Sequence, residues 1–379
     1  MTWRGWADGR CRAIDTARRK RAVRDFDARG PRGTIDGRPV VSFASNDYLG
    51  LAGHPAVVDA ARNALERWGA GATAARLVVG SRPVHSALEA ALADWKHTER
   101  ALLFPSGYAA NLGVLAAIAD AGTVICSDEL NHASIIDGCR LARADVAIYP
   151  HGDAHELERV LRRTARAVVA TESVFSMDGD LAPVAEIAGL CARYDALLVV
   201  DEAHGVLGPP LELGGAAGRA RPDRKTPEVL RVGTLSKFLG AVGGYVAGPA
   251  PMIELLTNVA RPFIFTTAST PADAAAGLCA LTILRSAEGR VLRDRLAGLV
   301  ERVAPGHPSP IVPLVLGAED EALAASQRLL DRGLLVPAIR PPTVPTGSSR
   351  LRVTLSASHT DAEVQRLTSA LTELSVARV

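Results

Sequence analysis

Lysine is scarce in this 379-residue chain: arginine carries most of the basic charge, and the only lysines are Lys20, Lys96, Lys225 and Lys237. Arginine stays protonated in proteins, whereas an amine of pKa about 10.4 can be brought down far enough to act as a nucleophile. In a chain that uses arginine by default, a lysine just after a strand is a candidate amine. Cysteine is sparse too. Cys11, Cys126, Cys139, Cys191 and Cys279 are scattered, odd in number and never spaced as Cys-x-x-Cys. That pattern argues against a disulfide framework and a zinc site, so no metal is expected, and it points to a reducing compartment. No run approaches eighteen consecutive apolar residues, and the first residues lack the apolar core of a secretion signal. The expected location is therefore the cytoplasm, with no membrane role. A formal net charge of +2 gives no reason to expect nucleic-acid binding. The chain also has no Gly-x-x-x-x-Gly-Lys-[Ser/Thr] loop. Val200-Asp-Glu-Ala-His204 spells the acidic box of a nucleic-acid helicase, but without that loop it is not read as one.

What is present is an alternation of short apolar runs and amphipathic stretches. Strands are expected at 101–104, 123–127, 145–149, 167–171, 196–200, 229–233 and 244–247. Helices are expected between them, among others at 85–96, 108–119, 154–163 and 184–194. Such alternation means a largely parallel sheet with helices on both faces. The organisation read from this pattern is a basic, partly helical arm over 1–45, a large α/β domain over 46–265 and a smaller α+β domain over 266–379. The arm carries the cluster Arg18, Arg19, Lys20, Arg21 and Arg24. The small domain opens with a helix over 272–286 and has strands near 311–315 and 351–355.

Three residues concentrate the chemistry. Asp201 and His204 lie just past one apolar strand, and Lys237 follows another in Gly233-Thr-Leu-Ser-Lys237. A lysine at a strand end can form an imine with an aldehyde cofactor, and a buried aspartate can keep a pyridine nitrogen protonated. That pairing is the signature of pyridoxal 5'-phosphate (PLP) binding. Other segments fit around it. Ser106-Gly-Tyr-Ala-Ala-Asn111 opens a helix, so the Gly107 and Tyr108 amides can grip a phosphate. Thr234 can add a phosphate contact. His132, in Asn131-His-Ala-Ser134, can stack on a planar ring; His204 and Ser176 can bond near its phenolic oxygen, or Ser176 can contact substrate. A guanidinium can clamp a carboxylate through two parallel hydrogen bonds, which makes Arg352 the candidate for an amino-acid carboxylate. A solvent-facing strand charge is the competing reading for both Arg350 and Arg352.

With these residues in place, the chain resembles the α-oxoamine synthases, PLP enzymes of fold type I (aspartate-aminotransferase-like). The resemblance runs nearly end to end. It is carried by Ser45-Asn-Asp-Tyr-Leu-Gly-Leu51, Gly69-Ala-Gly-Ala-Thr73, Ser106–Asn111, Asn131–Ser134, Phe175-Ser-Met-Asp-Gly-Asp180, Asp201-Glu-Ala-His-Gly205, Thr234–Lys237 and Arg340-Pro-Pro-Thr-Val-Pro345. The fold class it implies is α/β: a largely parallel central sheet flanked by helices, with a smaller C-terminal α+β domain. The activity it implies is a decarboxylative condensation of an amino acid with an acyl thioester. The segment 340–345 matches the biotin-pathway branch, whose substrates are L-alanine and pimeloyl-CoA or a pimeloyl-acyl-carrier protein. A sister synthase using glycine or another acyl-CoA is the alternative within the fold, and a non-catalytic binding protein is the alternative outside it.

By motif match, Lys237 carries the cofactor and removes the Cα proton. His132 covers the ring, Asp201 holds its nitrogen, and His204 and Ser176 bond near its hydroxyl. Gly107, Tyr108 and Thr234 serve the phosphate. Asn46 and Arg352 are implied at the amino-acid carboxylate, and Arg24 and Thr343 at the acyl substrate. A homodimer is implied as well. Two departures stand out: Pro209-Pro210 should stiffen the loop after His204, and Phe238 is bulky enough to narrow the channel beside Lys237.

Overall fold

The computed structural model describes residues 1–17, 19–207 and 226–374. Arg18, Lys225 and the Pro209-Pro210 loop lie outside the described residues. The helix Trp3–Thr16 buries none of its side chains. A hairpin follows, β1 (Asp27–Arg29), β2 (Arg32–Ile35) and β3 (Arg38–Ser42), where the sequence reading had no strands. Its β2–β3 turn is the dipeptide Asp36-Gly37, and both residues have positive φ, 50° and 73°. Asp-Gly between two strands is the signal for such a two-residue turn.

The large sheet is built from the seven strands expected from the sequence: β4 (Arg100–Phe104), β5 (Val124–Asp128), β6 (Asp145–Tyr149), β7 (Ala167–Glu172), β8 (Leu197–Asp201), β9 (Val229–Thr234) and β10 (Gly244–Gly248). Their order is β4-β10-β9-β8-β7-β5-β6. β10 runs antiparallel to both neighbours, and every other pair from β9 to β6 is parallel. β7, β9 and β10 are buried along their whole length. Strands covered on both faces should read as near-continuous apolar runs, which is how they read. Successive side chains alternate between two cores. Val168, Ala170 and Val199 pack with the helix Gly107–Ile118, while Val169, Leu198 and Val200 pack with Val184–Tyr194.

After the helices Pro271–Arg285 and Ala287–Val303 come β11 (Ile311–Gly317), the helix Glu319–Asp331, β12 (Leu334–Leu335), β13 (Ala338–Ile339), β14 (Ser349–Thr354) and the helix Asp361–Glu373. β11, β14 and β13 form an antiparallel sheet. β12 pairs in parallel with β3, which ties the N-terminal hairpin to the C-terminal part of the chain. The segment after β3 is held there as well. Thr354 N–H donates to Phe43 O at 2.8 Å, and Ala357 N–H to Tyr48 O at 2.8 Å. Residues 46–48 are thereby carried to the carboxyl ends of the parallel strands, where open α/β sheets bind their ligands.

Candidate active site

Asp201 is the last residue of β8 and is buried. Its Oδ1 accepts from Ala203 N–H at 2.8 Å, and its Oδ2 from Asn111 Nδ2 at 2.7 Å. Asn111 comes from the helix Gly107–Ile118 and also donates to Ser134 Oγ at 2.9 Å. Glu172 ends the neighbouring strand in register with Asp201. It accepts from the backbone N–H of His132 at 2.7 Å. Burial, and then the negative charge of Asp201, push its carboxyl well above the usual range. Of these two adjacent buried carboxyls, Glu172 is driven towards its neutral form, while Asp201 accepts a hydrogen bond on each oxygen.

His132 caps the helix Ala133–Leu141, with Nδ1 2.8 Å from Ser134 Oγ. Burial lowers its pKa; Lys237 lowers it further, and Asp201 opposes. His204 is more strongly held neutral, well below the usual histidine range, first by burial and then by the charges of Lys237, Arg352 and His132. Its Nδ1 lies 2.6 Å from Tyr48 Oη, which also reaches Asn46 Oδ1 at 3.0 Å. Burial raises the Tyr48 phenol to about 12 against the opposing pull of Arg352.

Lys237 is half-buried, three residues past the end of β9. Burial lowers its amine, Asp201 and Glu172 act to raise it, and Arg352 lowers it further. Among the described residues it makes no ion pair, so the lowered amine is not tied to a carboxylate.

A cradle forms at the start of the helix Gly107–Ile118, which Ser106 caps by accepting Ala109 N–H at 3.1 Å. A Cβ on Gly107 would stand 3.3 Å from Thr234 Cβ, and one on Gly244 would stand 2.5 Å from Gly107 N. Glycine at 244 is what lets β10 approach this helix end. Thr234 Oγ1 donates to Gly243 O at 2.9 Å and lies 2.7 Å from Ser236 Oγ. The Tyr108 hydroxyl donates to Asp137, and its ring stands edge-on to His132, centroids 6.4 Å apart.

On the other side, Arg352 donates through Nε to Ser176 O at 2.6 Å and through both terminal nitrogens to Asn46 Oδ1 at 3.3 Å. Arg350 pairs with Asp178. All of β14 is buried, so a solvent-facing charge is excluded for either arginine. Arg24 and Thr343 are exposed, and among the described residues no hydrogen bond or ion pair joins them to the Lys237 cluster. The arm and the 340–345 segment do meet, where Arg340 Nη2 donates to Lys20 O at 3.1 Å. Phe238 corrects an expectation. It does not narrow the channel beside Lys237 but packs edge-on against Trp95, centroids 6.3 Å apart. There it lines a separate cavity of about 570 Å³ with Lys96, Glu202 and Arg231. Consecutive side chains diverge at this turn, so the bulk of Phe238 goes to the core.

Three residues of the site were not singled out from the sequence: Asn111, Glu172 and Tyr48. Asn111 had a signal, since it lies four residues after Gly107 and so on the same helix face. Glu172 had one too, because it ends its strand as Asp201 does. Tyr48 had none.

The arrangement fits PLP. It offers a lowered, unpaired amine, a buried carboxylate with fixed oxygens, a neutral imidazole and a glycine-lined helix start for a phosphate. Residues 38–371 match the family model described as aminotransferase class I and II. A curated relative named 8-amino-7-oxononanoate synthase, from Anaeromyxobacter dehalogenans, is 48% identical, with 97% of this chain and 94% of the relative covered. A serine palmitoyltransferase variant from S. paucimobilis, solved with PLP and myriocin, superposes with a TM-score of 0.86 at 29% identity, covering 98% of each chain. The structure of an 8-amino-7-oxononanoate synthase from Francisella tularensis gives a TM-score of 0.71 at 26% identity, covering 88% of this chain and 97% of that one.

Proposed function

The chain belongs to the aminotransferase class I and II family, and on that footing we propose that its site joins L-alanine to a pimeloyl thioester. The products are 8-amino-7-oxononanoate, carbon dioxide and the free thiol. The enzyme is a PLP-dependent acyltransferase of biotin biosynthesis, and its assigned location is the cytoplasm. The observation that carries the reading is the placement of one lowered, unpaired amine, Lys237, beside Asp201 and opposite the Arg352–Asn46 pair.

Bound PLP supplies a cationic ring that takes up the electron pair left on the amino-acid Cα. The protein's residues do the rest. Asp201, oriented by Asn111 and the Ala203 amide, would hold a proton on the ring nitrogen. Gly107 and Tyr108 amides with Thr234 bind the phosphate at a helix start. His132, held towards its neutral form by burial, would lie against the ring. His204 and Ser176 bond near the ring hydroxyl. Arg352 and Asn46 orient the alanine carboxylate, which leaves the Cα proton facing Lys237 for removal. With PLP bound, that carbon would be able to bond to the thioester carbonyl with loss of the thiolate, and the carboxylate to leave as carbon dioxide. Arg24 and Thr343 are assigned to the acyl substrate.

The segment Arg76–Gly80 leaves Leu77, Val78 and Val79 exposed, and Phe265 is exposed nearby beside Arg261–Ile264. Contiguous exposed apolar surface of this kind supports a second copy of the chain as its partner. The deciding assay offers alanine with pimeloyl-CoA or the carrier-protein thioester, against glycine with acetyl- or palmitoyl-CoA. Turnover with alanine and pimeloyl donors is expected; turnover with glycine alone would reassign the enzyme to a sister synthase. Sedimentation of the active protein as a monomer would remove the dimer.

A further inference from the structure

His151, in the turn after β6, touches none of the groups above, yet it bridges two carboxylates. Its Nδ1 lies 3.0 Å from Asp128 Oδ1 at the end of β5, and its Nε2 lies 2.7 Å from Asp180 Oδ2. An ionised carboxylate only accepts hydrogen bonds, and a neutral imidazole has one N–H and one lone pair. Both bonds therefore require both ring nitrogens to donate, which only the imidazolium can do. Asp128 is buried and also accepts Leu130 N–H and Gly152 N–H, each at 2.9 Å, so both its oxygens face donors. Asp180 Oδ1 has no partner, so His151 is the tie on that side chain.

Asp180 closes the loop that begins at Phe175, whose N–H donates to Asp180 O at 3.0 Å. Phe175 presents its ring edge-on to His151, centroids 4.3 Å apart. The far side of the loop belongs to the small sheet. Ser176 O receives Arg352 Nε, Asp178 pairs with Arg350, and Gly179, at φ 72°, would bring a Cβ within 2.0 Å of Ile311 O. One loop is thus pinned by His151 on one side and by two arginines on the other.

We propose that His151 is a pH-dependent latch: bridging Asp128 and Asp180, it holds the loop Phe175–Asp180 in place and so positions Arg352 for the amino-acid carboxylate. This rests on the reading of Arg352 as the carboxylate clamp. The other ionisable groups around the latch are Glu129, which accepts His151 N–H at 2.9 Å, Tyr149 on β6, Asp153 at the next helix start, Asp178 with its partner Arg350, and His307 beside Gly179. Burial lowers the imidazole of His151, but its bonds to Asp128 and Asp180 outweigh that and raise it. A raised folded value means the latch is whole below the ordinary histidine range and is lost as pH climbs through the raised one.

The test compares the PLP-loaded parent with His151→Gln and Asp180→Asn across pH. His151→Gln should raise the KM for alanine about five- to tenfold near neutral pH, with kcat within about twofold. Asp180→Asn presents an amide that bonds a neutral ring from either end, so its KM should stay near the parent's and lose the parent's alkaline rise. Amide exchange of residues 175–180, corrected for the intrinsic rate, reports the latch without any turnover. Protection should fall with pH in the parent, be low throughout in His151→Gln, and be flat in Asp180→Asn. Unchanged KM and protection in His151→Gln would overturn the latch, as would an alkaline rise that persists in Asp180→Asn. A parent that shows the exchange pattern but no turnover with alanine would instead defeat the functional reading.

Discussion

Asp201 and Glu202 are consecutive, yet each faces a different half-buried lysine, and the two lysines differ in their contacts. Burial lowers the amines of both Lys96 and Lys237. Lys96 is in contact with Glu202, which Arg231 also bonds at 2.8 Å, and its ammonium sits 3.7 Å above the Trp95 ring. It sits inside a structural ion network. Lys237 feels Asp201 and Glu172 without pairing with either. Burial alone therefore does not separate the two lysines; the carboxylate contact does. The same strand end faces a salt bridge on one side and, among the described residues, an amine without an ion pair on the other.

Breaking this contrast from the reactive side should have the largest effect. Lys237→Ala is expected to cut turnover about 10⁴-fold by removing the base, while PLP still binds non-covalently. Borohydride treatment of the parent should leave a pyridoxyl label on Lys237, found by peptide mapping, and a label on Lys96 would reverse the comparison. From the structural side, Lys96→Met should remove one of the two cations on buried Glu202 while Arg231 still bonds it, and cost about 1.5–3 kcal/mol of stability in urea unfolding, the range for a lost hydrogen bond to a charged group. Turnover per folded molecule should change far less than in Lys237→Ala. Asp201→Asn should lower turnover about 10²-fold without a matching fall in stability, since Ala203 N–H keeps its acceptor and Asn111 can turn its amide over to accept from the new NH2. Phe238→Leu should be the mildest, costing under about 1.5 kcal/mol with near-parent kinetics, because the ring lies against Trp95. A large kinetic effect there would show that the cavity of Lys96 communicates with the site.

Legibility followed the range of the interactions. All seven strands of the large sheet were readable because fully buried parallel strands are short apolar runs. The residues at their ends, Asp201, Thr234 and Lys237, were readable for the same reason: a polar residue at the end of such a run is conspicuous. The hairpin β1–β3 escaped because its strands are short and partly exposed, and a basic composition masked the Asp36-Gly37 turn. Tyr48 was invisible because its partner His204 lies 156 residues away, a distance no local pattern spans. Glu172 was not legible because its role comes from the cross-strand register with Asp201 and from the His132 amide 40 residues away. Arg352 was legible as a candidate by strand alternation, but its hold on Ser176 and Asn46 was not.

The parallel pairing of β12 with β3 also sets a schedule for synthesis. About 290 residues of chain lie between Val41 and Leu334, so the hairpin cannot find this neighbour until the ribosome has delivered nearly the whole polypeptide. Asn46 and Tyr48 hang from that late seam, through Thr354 and Ala357. A chain released before Leu334 lacks β12 and β14, and with them Arg352 and the bonds that seat Asn46 and Tyr48. Any function that needs those residues together therefore waits for the last tenth of the polypeptide.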